Sequence, residues 1–197
     1  MNDKFTIYEL RFPWNQWKKK MENIFSTKER IKILKAVIYK KDLISVNNIA
    51  AELKLSKGLV SKYLDILTKN DIAEREKGKF IIKSSPVTKG IKIILNLMEI
   101  NPRIFRKYPF VKSAGIYGSC AKGENYEDSD VDLWIRIKET GEENQASLSA
   151  ELRKKTEKAK ILLLTDRKLE KMKKEDNVFY NSLFFGSIII YGEQYGI

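Results

Sequence analysis

Gly118-Ser119 is separated by ten residues from Asp130-Val131-Asp132, and this pairing narrows what the middle of the 197-residue chain can fold into. Two carboxylates one residue apart share a face when the backbone is extended, because side-chain direction alternates with a period of two. The neighbours agree. Val131, Leu133, Ile135 and Ile137 alternate with Asp130, Asp132, Trp134 and Arg136, so one face of the strand is apolar and the other is functional or wet.

Ahead of the motif, residues 114–117 form a second short strand that delivers Gly118-Ser119 at its carboxyl end. The predicted order is strand, tight turn, short helix, polar loop, strand. Gly118 allows close backbone approach to a phosphate, and the amides of Ser119 and Cys120 would point at its oxygens. Asp130 and Asp132 suit a divalent cation. A metal and a phosphate would therefore meet here.

These residues resemble the signature of the polymerase-β-like nucleotidyltransferase superfamily, in the Gly-Ser, ten residues, Asp-x-Asp spacing of its minimal branch. The resemblance covers about residues 112–192 and implies a mixed sheet flanked by helices. It also implies that Gly118 and Ser119 hold the nucleotide's phosphates and that Asp130 and Asp132 bind Mg²⁺. The reaction it implies moves a nucleoside monophosphate from a nucleoside triphosphate to a hydroxyl acceptor, with two metals roughly 3.5–4 Å apart clamping the attacking and leaving oxygens. Minimal members often act as antitoxins that modify a toxin, so a toxin-like protein partner is implied as well.

Active members usually carry a third carboxylate on a neighbouring strand. The next strand here, residues 159–165, has the interior Lys160-Ile161-Leu162-Leu163-Leu164, which contains none. Asp166 lies just past it. It either reaches the site as a third catalytic carboxylate or, with Thr165, starts the following helix as a cap.

The chain has no histidine and one cysteine, which removes Ser-His triads, His-ligated metals, thiolate zinc clusters and an intramolecular disulfide framework. Cys120, with no histidine to activate it, is assigned no chemistry. Oxygen ligands remain, favouring Mg²⁺ or Mn²⁺. The longest apolar runs are strand length, so no membrane span is expected, and without a signal-peptide core the expected location is cytoplasmic.

Charge is unevenly placed. Residues 1–111 hold 24 Lys and Arg against 11 Asp and Glu, whereas residues 112–197 hold 14 against 15. A basic first half suggests a nucleic-acid partner. Ser26-Thr27-Lys28-Glu29 reads as a capping box ahead of a helix with Ile31, Leu34, Val37 and Ile38 inward. A second helix, Val46–Leu53, turns inward Ile49, Ala50 and Leu53. Ser56 caps a third, in which Val60, Tyr63, Leu64 and Leu67 face the core. Residues 72–76 and 79–83 then pair across Lys77-Gly78. Three helices and a hairpin resemble a winged helix-turn-helix of prokaryotic transcription regulators. That resemblance implies DNA contact by Lys57, Ser61 and Lys62 of the third helix in the major groove, and by Arg75, Lys77, Lys79 and Lys83 of the wing. Winged helices also serve as protein-binding modules.

The chain is thus expected to be α/β (α+β) in class. It would comprise an aromatic arm over residues 1–25 and a winged helix-turn-helix over 26–85. A connecting helix and linker would span 86–111, followed by a nucleotidyltransferase-like domain over 112–197. Aromatic residues Phe5, Tyr8, Phe12, Trp14, Trp17 and Phe25 suit an arm packed on a core, or one swapped in a dimer. On the connecting helix, Ile91, Ile94, Leu95 and Met98 would form one apolar stripe, packing on its own domain or pairing two copies as a homodimer. Residues 139–145 read as a polar loop before a charged helix over 146–158. Phe179, Tyr180, Leu183, Phe184 and Phe185 read as an aromatic core face ahead of a strand ending at Gly192.

Two functions follow. The first is a Mg²⁺-dependent nucleotidyltransferase, with an acceptor the sequence does not specify, tethered to DNA by its winged helix. The second is a transcription regulator, or an antitoxin-like one, whose nucleotidyltransferase-like domain binds nucleotide without turnover.

Overall fold

A computed structural model of the chain describes residues 14–156 and 158–192. The expected positions of Phe5, Tyr8 and Phe12 lie outside those residues. The amino-terminal half begins with α1 (Trp14–Phe25), α2 (Lys28–Val37), α3 (Val46–Leu53) and α4 (Lys57–Lys69). The start of α2 falls one residue later than a capping box at Ser26 requires. Thr27, with extended backbone, accepts the Arg30 amide at 3.2 Å, while Ser26 accepts the Arg30 guanidinium at 2.8 Å. Ser56 caps α4 by accepting the Leu59 amide at 3.3 Å.

The inward faces follow the predicted periodicity except in α2, where Ile33 is buried and Ile31, expected inward, is only half-buried. Ile33, Leu34, Val37, Ile49, Val60, Tyr63, Leu64 and Leu67 share one core with Ile24 of α1, and each fully buried large side chain stabilises it by roughly 1.5–3 kcal/mol. The Tyr63 hydroxyl donates to the Ile24 carbonyl at 2.9 Å, tying α1 to α4.

Strands β1 (Ala73–Glu76) and β2 (Lys79–Ile82) form a hairpin with Glu76 opposite Lys79. Its two-residue turn places Lys77 at φ 48° and Gly78 at φ 76°, the pair of left-handed residues that matches strand twist. Ile44 exchanges backbone hydrogen bonds with Phe80 at 2.6 and 3.0 Å, so the hairpin is fastened to the helices through a buried phenyl ring.

Helix α5 (Pro86–Glu99) is capped by Ser85, which accepts the Thr88 amide at 3.1 Å. Its buried stripe differs from the expected one. Ile91 and Leu95 are inward, but Ile94 is 48% and Met98 64% exposed, and Thr88, Lys92 and Asn96 are buried in their place. The cause is that α5 serves two neighbours. Ile91 and Leu95 complete the amino-terminal core, while Lys92 and Asn96 turn toward the polar loop of the other half. Asn96 donates to the Cys120 carbonyl at 2.8 Å, exchanges two amide hydrogen bonds with Asn125 at 3.0 Å each, and accepts the Tyr39 hydroxyl at 3.0 Å.

After a 3-10 turn at Pro102–Lys107 come β3 (Val111–Tyr117), α6 (Gly118–Lys122), β4 (Val131–Ile137), α7 (Glu142–Lys155), β5 (Ala159–Leu164), α8 (Asp166–Glu175), α9 (Asn177–Phe185) and β6 (Ile188–Tyr191). The sheet runs β5-β4-β3-β6, with β4 and β5 parallel and the other pairs antiparallel. The class is therefore mixed α/β, as expected. Parallel pairing requires a crossover, which α7 provides. That helix starts inside the stretch expected as a loop, because Glu142 and Glu143 favour its amino-terminal dipole and Arg153, Lys154 and Lys155 its carboxyl end.

One sheet face, carrying Ala114, Ile135 and Ile137 with Ile116 and Leu133, is covered by the 3-10 turn, α5, α6 and α7. The other face is drier than the alternation suggested. Trp134 is 1% exposed, under Leu169 of α8 and Tyr180, Leu183 and Phe184 of α9. Gly115 makes this possible, since a Cβ there would lie 2.6 Å from the Trp134 indole nitrogen. Phe185, expected in the aromatic face, is 69% exposed. Asp132 and Arg136, at the two ends of this face in β4, are half-buried.

Candidate nucleotide and metal site

Strand β3 ends at Tyr117, which pairs with Asp132 across the ladder. The chain then turns through Gly118 at φ 69° into α6. The missing side chain matters at this position. A Cβ on Gly118 would stand 2.6 Å from Asp132 Oδ2, so the carboxylate lies directly over the glycine. Asp130 sits just before β4 begins, and its carbonyl accepts the Cys120 thiol at 3.4 Å. Gly118, Ser119, Asp130 and Asp132 are thus brought to one end of the two central strands, where β3 finishes and β4 begins.

Asp132 is half-buried and accepts no hydrogen bond among the described residues. Burial raises its carboxyl above the usual range, the Lys160 ammonium pulls it part of the way back, and the Asp130 charge adds to the rise. The Tyr117 hydroxyl is raised too, by burial and then by the Asp132 charge. A half-desolvated carboxylate with no donor is the kind of ligand a cation satisfies.

The residue that sequence reasoning missed is Lys160. Parallel pairing sets it opposite Asp132, and its Nζ lies 2.6 Å from Asp130 Oδ2. This contact raises the ammonium pKa. A lysine thus faces the two carboxylates from the neighbouring strand. Its signal was the shared offset, since Asp132 and Lys160 are each the second residue of their strands.

Asp166 is neither the third ligand nor the cap. It lies six residues beyond Lys160 at the far end of β5, on the order of 20 Å away at the rise of a strand. There it pairs with Lys112 at 2.5 Å and Arg136 at 2.8 Å, which hold its carboxyl below the usual range. The cap of α8 is Thr165, whose hydroxyl accepts the Lys168 amide at 3.3 Å. Among the described residues, no group of three or more acidic or thiol side chains is placed to share a metal ion. Cys120 is buried, and burial pushes its thiol up to about 11.

In the basic half, Lys57 and Lys62 of α4 are exposed and Ser61 is half-buried. Arg75 is drawn back to Asp65 of α4 at 2.7 Å and lies over the Phe80 ring at 4.8 Å. Lys83 lies 3.6 Å from Asp71. Lys77 and Lys79 are exposed beside the hairpin turn.

Residues 100–195 match the family model described as Polymerase beta, Nucleotidyltransferase. That likeness to nucleotidyltransferases lies in the carboxy-terminal half of the chain. Among solved structures, a putative nucleotidyltransferase from Sulfolobus solfataricus is 15% identical, with 58% of this chain and 94% of that one covered at a TM-score of 0.37. A mutant of the toxin-antitoxin pair MntA-HpeT is 14% identical, with 48% and 76% covered at a TM-score of 0.36. No curated protein matches the chain. Among the described residues, no helix is long and apolar enough to cross a membrane.

Proposed function

We propose that the chain is a DNA-binding regulator whose nucleotidyltransferase domain holds a nucleoside triphosphate without transferring it. The observation that carries this reading is Lys160, a cation set opposite Asp132 and bonded to Asp130 where transfer needs a third acidic group. Activating a hydroxyl acceptor requires a base within hydrogen-bond reach. An ammonium is not one, and Asp166 is engaged elsewhere.

Asp130 and Asp132 suit one Mg²⁺ or Mn²⁺, because such ions commonly take one or two carboxylates and complete their shell with substrate phosphates and water. Bound there, the ion would neutralise phosphate charge. Gly118 and Ser119 would face the phosphates, and Lys160 would release Asp130 or share it. Residues 26–85 would act as a winged helix-turn-helix on DNA, with Lys57, Ser61 and Lys62 toward the bases and Lys77 and Lys79 toward the backbone.

The enzyme reading keeps one observation in its favour, the retained seat of Asp132 over Gly118. The two readings separate when the protein is incubated with labelled nucleoside triphosphates and Mg²⁺, alone and with cell lysate or RNA. Nucleotide binding that weakens in Asp132→Ala, with no label transferred, is the expected result. Transfer that disappears in Asp130→Ala overturns the regulator reading and establishes the enzyme.

A further inference from the structure

A cavity of about 350 Å³ opens between the two halves, on the side of the sheet away from Asp132. Its walls are α5, the stretch just after β2, Lys40 and the loop from Gly123 to Tyr126. The side is fixed by packing. Cys120 and Ala121 of α6 pack on Ile116 and Leu133, whereas Asp132 shares its strand face with Trp134. None of Gly118, Ser119, Asp130 or Asp132 lines the cavity.

Four lysines face it: Lys40, Lys83, Lys89 and Lys92. Three reach carboxylates, Lys40 to Glu127 at 2.7 Å, Lys89 to Glu124 at 2.5 Å and Lys83 to Asp71 at 3.6 Å. Lys92 differs. It is 5% exposed, has no carboxylate partner among the described residues, and spends one N–H on the Asn125 carbonyl at 2.7 Å. The Tyr126 ring lies 4.4 Å from its Nζ and the Tyr39 ring 5.7 Å. An ammonium carries three donors, and a buried one without a counter-charge is costly. Burial alone already lowers its pKa.

We infer that this cavity is a binding site for a phosphate-bearing small molecule, with Lys92 as the buried counter-charge and Lys40, Lys83 and Lys89 at the rim. A phosphate oxygen supplies the acceptors and the charge that Lys92 lacks. The volume lies at the small end of ligand sites, suiting a phosphate or diphosphate group. Such a ligand would bridge α5 to the loop that joins the two parts of the Gly-Ser and Asp-x-Asp motif. Free phosphates and the phosphates of a nucleotide share this chemistry.

Titration calorimetry on the full chain, without divalent cation so that the Asp130 and Asp132 site is not recruited, uses phosphate, pyrophosphate and ATP as probes. Pyrophosphate or ATP is expected to bind one per chain. Equal affinity for the two assigns recognition to the phosphates alone, and preference for ATP adds the nucleoside. Lys92→Gln, which keeps a donor for the Asn125 carbonyl, is expected to weaken binding by about tenfold or more. Ser84→Glu places a negative charge at an exposed rim position with little burden on folding, and is expected to weaken it as well. Asp132→Ala is expected to bind as the unaltered chain does. Unchanged affinity in both Lys92→Gln and Ser84→Glu, loss of binding in Asp132→Ala, or binding of a DNA duplex with no response to the three probes each overturns the inference.

Discussion

Replacing Gly118 by alanine tests whether the glycine is required by the Asp132 carboxylate or only by the turn. At φ 69° a residue with a Cβ is strained, by about 1–2 kcal/mol. The added methyl also stands 2.6 Å from Asp132 Oδ2, and turning that carboxylate off its rotamer costs about 0.5–1.5 kcal/mol. Against these, alanine restricts the unfolded chain and returns about 0.4–1 kcal/mol. The net expectation is a loss of about 0.5–3 kcal/mol in urea unfolding followed by circular dichroism. Two comparisons isolate the parts. Gly90→Ala, in α5 with open space around its Cβ, is expected to gain roughly 0.5–1 kcal/mol. In an Asp132→Ala background the backbone part of the Gly118→Ala penalty persists and the carboxylate part vanishes, so the penalty shrinks. A Gly118→Ala protein that gains stability as Gly90→Ala does would refute the strain argument. An equal penalty in both backgrounds would refute the contact between Gly118 and Asp132.

The Cys120 thiol, pushed up to about 11 by burial, folds as the neutral form. Its contribution is fully present below the unfolded thiol pKa, near ~8.5, and is lost as pH rises toward the folded value. Urea unfolding at pH 7.5 and 10.5 should show the unaltered chain losing more stability than Cys120→Ala, and an equal loss would remove the thiol from the argument. For the β1–β2 hairpin, if it contacts DNA as proposed, replacing Lys77 and Lys79 with glutamine should flatten the slope of log binding constant against log salt by roughly 1–2 on duplex DNA, the share of two phosphate contacts. An unchanged slope would mean that the hairpin does not touch the backbone.

What the sequence makes legible is what short-range physics decides. Ser56 ahead of Val60, Tyr63, Leu64 and Leu67 specifies the third helix and its inward face within a dozen residues, and the structure matches it residue for residue. Lys77-Gly78 between two short runs specifies the hairpin in the same way. The alternation in β4 was equally readable, but the dryness around Trp134 comes from helices that begin some thirty residues later. The rest depends on register and on partners remote in sequence. Ile94 and Met98 looked inward because Lys92 and Asn96 could not be credited with acceptors on another segment. Asp166 looked available until Lys112 and Arg136 arrived from other strands. Lys160 was visible as the absence of a carboxylate, and only the parallel pairing of β4 and β5 turns that absence into a charge placed against Asp130.

The facing amides of Asn96 and Asn125 fix how the two halves fit. Apolar contacts tolerate sliding, since any greasy surface serves nearly as well as its neighbour. The paired amides do not, because both Nδ2 to Oδ1 bonds form at 3.0 Å in a single alignment, with the Cys120 carbonyl and Tyr39 hydroxyl completing it. A shift of α5 by one residue along the loop would strand several buried polar groups, at about 1–3 kcal/mol apiece. The interface therefore works as a keyed joint. It admits one seating of the basic half on the sheet, and a graft of either half onto a different partner would have to carry its own half of the key.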